Sequence, residues 1–145
     1  MVFERAPRIS APAPCPKLGE SRVVAFYARR HPKFDAEMIG LLRREPREYR
    51  AAERAISRLL EFGDALGFPH SSGVRSSAVR GLRELRPRQG RSRWRPLYVI
   101  AGDEVRMIVL APETTHDPVG FRRAVDRAEN RLGEMVEQEA RNDVK

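Results

Sequence analysis

The sequence predicts an α+β domain in which a helical layer is followed by a β-hairpin, a further strand and a closing helix. Three patterns support this prediction. An amphipathic helix pattern covers residues 46–66, a strand–turn–strand pattern covers residues 82–98, and a nearly continuous apolar run covers residues 105–111. The chain has 145 residues, a length that favours one domain with a buried core.

The first 20 residues predict a disordered tail, because prolines at their density exclude helix and interior strand. The prolines concerned are Pro7, Pro12, Pro14 and Pro16. The expected boundaries are therefore residues 1–20 for a proline-rich tail, residues 21–137 for the folded domain, and residues 138–145 for a polar C-terminal tail that frays.

An edge strand and two helices are expected before the hairpin. The short apolar run at residues 23–27 predicts the strand. Asp35 is placed to cap a short helix, and Pro46 fits the first turn of the longer one. In that longer helix apolar residues recur at three- and four-residue spacing, and arginines occupy most of the other side. This basic side could contact RNA or a partner, but we interpret it as a solvated face. Gly67 is expected to end it.

The hairpin comes after a predicted loop at residues 68–73. His70 in that loop is interpreted as a loop histidine rather than as a catalytic base. The hairpin turn is expected at Gln89-Gly90. Pro96 in the second strand removes one donor from the ladder, so a bulge or a non-bonded position is expected there.

Positive charge is concentrated in the hairpin. The formal net charge is +8, from 28 Lys plus Arg against 20 Asp plus Glu. Between Arg75 and Arg95 eight arginines accompany a single acid, Glu84. Composition bias in a GC-rich genome explains the number of arginines but not their clustering. Because the planar guanidinium group suits phosphate, the hairpin predicts a surface that faces a polyanion.

The strand at residues 105–111 is apolar on both faces, which predicts a central strand that is covered on both sides. Asp117 and Pro118 then provide a cap and a first position for the closing helix. The expected buried side of that helix consists of Phe121, Ala124, Val125, Ala128, Leu132 and Met135.

Several classes of protein are disfavoured by the composition. The only cysteine, Cys15, permits neither an intramolecular disulfide nor a cysteine-based zinc site. The three histidines are too scattered in sequence to indicate a metal site. No apolar run is long enough to span a membrane, and no signal peptide is apparent, so a cytoplasmic protein is expected.

The hairpin contains three motifs in succession: Leu82-x-Glu84-Leu85-Arg86, a basic turn with Gly90, and Trp94-Arg95-Pro96-Leu97-Tyr98. In their order they resemble the hairpin of the phage-derived HigB-like branch of the RelE/ParE toxin superfamily. The resemblance covers residues 46–132 by the order of its motifs. It implies a RelE-like fold, with a small, mostly antiparallel sheet packed against two or three helices.

The resemblance also implies a function. Such toxins are ribosome-dependent endoribonucleases that cut mRNA without a metal or a cofactor, and a cognate antitoxin holds them inactive. The 2′-hydroxyl attacks the adjacent phosphate while basic side chains stabilise the developing charge. By this resemblance Arg86 and Arg95 bind phosphate, and Tyr98 stacks on a base or transfers a proton.

The chain departs from the family after its central strand, where a Lys-Lys pair is missing and Glu113 introduces an acid. His116 is the candidate replacement, because an imidazole titrates near neutrality; it could equally be an exposed residue before the helix cap. The missing lysines weigh against cleavage more than against the fold. The remaining arginines expected to bind RNA are Arg80, Arg83, Arg88, Arg91 and Arg93.

Other roles and functions stay open from the sequence. Arg86 could pair with Glu84 in a structural role, and Tyr98 could pack in the core beside Trp94. The chain could also be a non-catalytic module that acts on DNA gyrase, as the ParE-like branch does, or one that binds RNA or an acidic partner without chemistry.

Overall fold

The computed structural model describes residues 26–144. The strands are β1 (Tyr27–Arg30), β2 (Ser71–Gly73), β3 (Arg83–Leu85), β4 (Trp94–Ala101) and β5 (Glu104–Pro112). The helices are α1 (Pro32–Arg44), α2 (Pro46–Phe62) and α3 (Pro118–Val144). Short 3-10 turns occupy Gly63–Ala65 and Pro87–Gly90. The predicted tail of residues 1–20 lies outside the described residues.

The five strands form one sheet in the order β1-β5-β4-β3-β2. β1 runs parallel to β5, and the other three pairings are antiparallel. Helices α1 and α2 pack on one face of this sheet, and α3 packs on the other. The predicted α+β class and the mostly antiparallel sheet are confirmed.

The predicted burial of β5 on both faces is also confirmed. Residues of this strand enter both cores, with Met107 on the α1/α2 side and with Ile108 and Val109 on the α3 side. β5 lies inside the sheet, next to the middle strand β4. A bulge or a non-bonded position is expected at Pro96, but Pro96 keeps its register opposite Leu110. The register shifts between Leu97 and Tyr98, where the extra residue is Ile108 of β5.

The first elements begin and end at other residues than predicted. The edge strand is Tyr27–Arg30, so it overlaps the predicted run only at its last residue; residues 23–25 of that run lie outside the described part of the chain. The cap of α1 is His31 rather than Asp35. Its Nδ1 accepts the backbone N–H of Lys33 at 3.1 Å, and Pro32 takes the first helical position.

α2 ends one turn earlier than its apolar pattern predicts. Gly63 occupies the cap position with φ 57°, a conformation that glycine adopts without steric cost, whereas the prediction placed the cap at Gly67. The following 3-10 turn continues the apolar side as far as Leu66, which is buried. The pattern therefore identified the buried side but not the end of the α-helix.

Two segments that were predicted to be irregular have regular structure. Ser71–Gly73, expected in a loop, forms the edge strand β2 and pairs with β3. α3 continues to Val144 rather than fraying after Glu137. The polar end of α3 is held to the sheet because Glu139 forms ion pairs with Arg29, at 3.0 Å, and with Arg106.

Candidate functional site

A cleft of about 230 Å³ lies between α2 and the turn that joins β3 to β4. We call it the basic cleft. Five arginines and one histidine line it, together with uncharged residues. The charged and titratable lining residues are Arg54, Arg58, Arg86, Arg88, Arg91 and His70. Among residues 26–144 no carboxylate lines this cleft. Guanidinium groups that outnumber the nearby acids form a positive opening that suits phosphate oxygens.

The two walls of the basic cleft have different origins. Arg54 and Arg58 lie one helical turn apart on α2, so their side chains project from the same face. The opposite wall is the Pro87–Gly90 turn, in which Arg88 and Gln89 have φ near 57°. Such left-handed residues cost about 1 kcal/mol or more each, so other contacts must hold the turn in place.

Glu48 on α2 supplies those contacts. Its Oε2 accepts a hydrogen bond from Arg88 Nη1 at 3.0 Å, and its Oε1 accepts one from the Ser92 hydroxyl. Glu45 adds weaker contacts to the same segment, 3.4 Å from Trp94 Nε1 and 3.7 Å from Arg93 Nη2. The start of α2 therefore binds the hairpin and holds the two walls of the basic cleft together.

Arg86 lies on the hairpin side, and its position is fixed by three contacts. Its Nε donates to the Pro69 carbonyl at 3.0 Å, and its guanidinium carbon lies 4.8 Å from the centroid of the Phe68 ring. The Arg86 guanidinium also lies against Gly90. A Cβ at this position would collide with the guanidinium, and φ at Gly90 is 94°. Within the described part of the chain its terminal nitrogens form no hydrogen bond, so they are available to a ligand.

His70, interpreted from the sequence as a loop histidine, lies in the loop before β2 and also lines the basic cleft. Its Nε2 lies 3.4 Å from Arg58 Nη1, and because arginine can only donate, Nε2 acts as the acceptor. The His70 carbonyl accepts from the Arg86 backbone N–H at 2.8 Å, which ties it to the hairpin. The structure thus places an imidazole nitrogen among the arginines, with its lone pair directed at Arg58 in the free protein.

Arg95, a predicted phosphate ligand, is structural. It is 3% exposed, and it donates to the carbonyls of Gly90, at 3.0 Å, of Trp94, at 3.3 Å, and of Ser92. Its Nε lies 3.4 Å from Glu84 Oε1. Burial lowers the pKa of the Arg95 guanidinium, and the Glu84 carboxylate opposes that shift. Because its donors face the protein, Arg95 has none to offer to a substrate.

Tyr98 is also placed away from substrate. It is fully buried in the α1/α2 core, and its hydroxyl lies 2.5 Å from Ser71 Oγ. Ser71 Oγ in turn accepts from Arg83 Nε at 2.9 Å. A ring with no exposed surface cannot stack on a base, so the structure supports the core role for Tyr98 and an anchored role for Arg83.

The remaining predicted residues lie outside the basic cleft. His116 is exposed, and only its backbone is held, by donation to Glu113 Oε1 at 2.9 Å. Burial raises the pKa of Glu113, but the hydrogen bonds from Thr115 and His116 outweigh it and lower that pKa below its usual range. Arg80 and Arg93 are exposed and do not line the basic cleft. Of the predicted site residues, only Arg86, Arg88 and Arg91 line it.

A second cavity of about 440 Å³ extends the basic surface along α2. Its charged lining consists of Arg47, Arg50, Arg54, Arg88 and Glu48. Arg54 and Arg88 line both cavities, so the two form one surface, which we call the arginine track. From residue 47 to residue 58 an α-helix rises by about 16 Å, more than a single phosphate group occupies.

The fold and the site together define an α+β domain that carries a basic cleft. No family model matches the chain, and no curated protein matches it. Residues 26–144 contain no group of three or more histidine, cysteine or acidic side chains that could hold a metal ion. None of the helices described here is long and apolar enough to cross a membrane.

Proposed function

We propose that this protein is the toxin component of a type II toxin–antitoxin system and that it cuts mRNA on the ribosome as a metal-independent endoribonuclease. The observation that carries the proposal is the basic cleft, in which five arginines and His70 converge with no carboxylate among the described residues. The order of the hairpin motifs supports a RelE-like protein of the HigB-like branch. The proposed partners are the ribosome with its mRNA and a cognate antitoxin.

In the proposed reaction the scissile phosphate lies among Arg58, Arg86 and Arg91. The ribose 2′-oxygen attacks the adjacent phosphorus, and its proton passes to His70 Nε2, which the Arg58 guanidinium leaves as it turns to the phosphate. The bond from phosphorus to the 5′-oxygen breaks, and that oxygen takes a proton from water. The products are a 2′,3′-cyclic phosphate and a 5′-hydroxyl end. The arginines stabilise the charge that develops on the phosphate oxygens.

Cleavage is tested with purified protein, ribosomes and mRNA, by primer extension on the products. Arg58→Ala and Arg86→Ala are each expected to slow cutting by about 10²-fold, the usual effect of removing one donor to a developing oxyanion. Arg122→Ala is the matched control, because Arg122 is an exposed arginine on α3, which packs on the other face of the sheet. Circular dichroism shows whether each variant folds.

The same variants are tested in cells by growth arrest on induced expression. Wild type and Arg122→Ala should arrest growth, whereas Arg58→Ala and Arg86→Ala should not. If wild-type protein neither cuts mRNA with ribosomes present nor arrests growth, the proposal is wrong.

The role of His70 has its own test. His70→Gln keeps an acceptor of similar reach but cannot take a proton near neutral pH. It should retain RNA binding and lose cutting. Cutting at the wild-type rate would exclude His70 as the proton acceptor and leave only charge stabilisation in the cleft.

A second function, binding of RNA or of an acidic partner without chemistry, is favoured by one specific observation. The burial of Tyr98 and Arg95 removes two of the groups that the family resemblance assigns to catalysis. Salt-dependent RNA binding, without cleavage in the primer-extension assay, would support this alternative.

A further inference from the structure

Phe68 exposes a large aromatic ring at the edge of the basic cleft. It is 75% exposed, more than any other large apolar side chain in the described part of the chain. The Arg86 guanidinium lies over its ring at 4.8 Å, and the Arg86 Nε holds the next residue, Pro69, by its carbonyl. The ring is thus tied to the cleft, and most of its surface faces solvent.

We propose that Phe68 is a stacking platform for an unpaired base, and that the site therefore takes single-stranded RNA. This deepens the proposed function and rests on its RNA-binding part. A base would stack on the open side of the ring, and its phosphate would lie among Arg58, Arg86 and Arg91. The neighbouring phosphates would follow the arginine track toward Arg50.

Two physical arguments favour a single strand. Proteins that bind single strands combine a positively charged groove with aromatic side chains, because every base has a π-face. In a duplex the bases are stacked inside the helix, so only the backbone would meet the track and Phe68 would gain no partner. A ligand that offers only phosphate has no group that could stack on an exposed aromatic ring. A nucleotide has one, because its base lies beside its phosphate.

The inference is tested by fluorescence anisotropy with the full chain and three probes. The probes are a short unstructured RNA, the same RNA annealed to its complement, and inorganic polyphosphate, which carries the charge but has no bases. The variants are Phe68→Ala and Phe68→Tyr, which keeps a ring. The matched control is Phe62→Ala, because Phe62 is also exposed, at 48%. Among the described residues no guanidinium of the basic cleft lies over the Phe62 ring, whereas Arg86 lies over Phe68.

Phe68→Ala is expected to weaken binding of the single strand by about 5- to 150-fold, the range of one base–aromatic stack. Its binding of polyphosphate should not change, which also shows that the variant is folded. Phe68→Tyr should restore most of the affinity, and Phe62→Ala should match wild type with all three probes. Wild type should prefer the single strand to the duplex.

Three results would overturn the inference. They are equal loss of RNA and polyphosphate binding in Phe68→Ala, no loss of either, and equal affinity of wild type for single strand and duplex. These outcomes are separable from the nuclease proposal. A protein that binds single strands through Phe68 without cutting them keeps this inference and loses the nuclease. A Phe68→Ala variant that binds and cuts as wild type does keeps the nuclease and loses this inference.

Discussion

Replacing Arg95 by alanine is expected to destabilise the fold rather than to remove a group that contacts substrate. The guanidinium donates to the carbonyls of Gly90, Ser92 and Trp94, all of which belong to the turn and the start of β4. It is also the charged neighbour of Glu84, whose side chain is only 14% exposed. Alanine would leave these groups without a partner and open a cavity where the side chain lay.

The size of the effect follows from the burial of this pair. Removing one partner of a buried ion pair costs about 3–5 kcal/mol, because the other charge stays buried without compensation. Here Glu84 keeps its hydrogen bond from the Ser72 hydroxyl, at 3.0 Å, so the lower half of that range is expected. Against a total stability of about 5–15 kcal/mol, such a loss lowers the melting temperature by roughly 10 °C.

The assay is urea denaturation followed by circular dichroism. Arg86→Ala is the comparison, because it removes one hydrogen bond to a carbonyl and one aromatic contact at a partly exposed site, and about 1 kcal/mol is expected. Glu84→Gln should reduce the cost of Arg95→Ala, since no charge is then left unpaired. If Arg95→Ala unfolds within about 1 kcal/mol of wild type and still loses RNA binding, the structural assignment of Arg95 is refuted.

Three further predictions concern the cleft, the core and the helix layer. Arg58→Ala should reduce the slope of log affinity for RNA against log salt concentration by about 0.7–1, because one phosphate contact is lost. RNA-binding titrations at several salt concentrations measure this slope. An unchanged slope would place Arg58 outside the interface. Tyr98→Phe should lower the free energy of unfolding by about 1–2 kcal/mol, because it removes the hydroxyl that contacts Ser71. A Tyr98→Phe variant that folds but loses RNA cleavage would contradict the core role of Tyr98. The hydrogen bond from His31 holds the pKa of Glu134 below its usual value of 4.5, so its contribution is present above that pH and is lost as the pH falls through the lower folded pKa. Glu134→Gln should therefore weaken the acid dependence of thermal unfolding, and an unchanged dependence would exclude this contribution.

The parts of the fold that depend on local sequence could be predicted. α3 begins at Pro118, and Asp117 Oδ1 accepts the Gly120 N–H at 2.9 Å as a cap. Its predicted buried side is buried throughout, because helical periodicity and capping are properties of neighbouring residues. β2 could not be predicted, because Ser71–Gly73 has little strand propensity of its own and becomes a strand only by pairing with β3.

The site was harder to predict, because it depends on which face of each element meets which neighbour. Arg95 and Leu97 lie two residues apart on β4 and so share a face, and that face packs toward α3, whereas the basic cleft lies on the α2 side. Tyr98 is on the α2 side but is buried within the core there. Periodicity showed that Arg54 and Arg58 share the polar face of α2, but not that the hairpin turn lies against that face.

The positions of the acidic residues explain how the arginines of the basic cleft can lie together in the folded protein. Glu45 and Glu48, at the start of α2, take the contacts to Arg88, Ser92 and Trp94, so the attraction that holds the hairpin is concentrated at one end. Beyond that end the other guanidinium groups of the basic cleft, those of Arg54, Arg58, Arg86 and Arg91, repel one another without a carboxylate among the described lining residues. This repulsion raises the energy of the free protein and disappears when an anion binds. A polyanion in the cleft therefore gains affinity from relief of repulsion as well as from direct contacts, and its binding stabilises the folded chain.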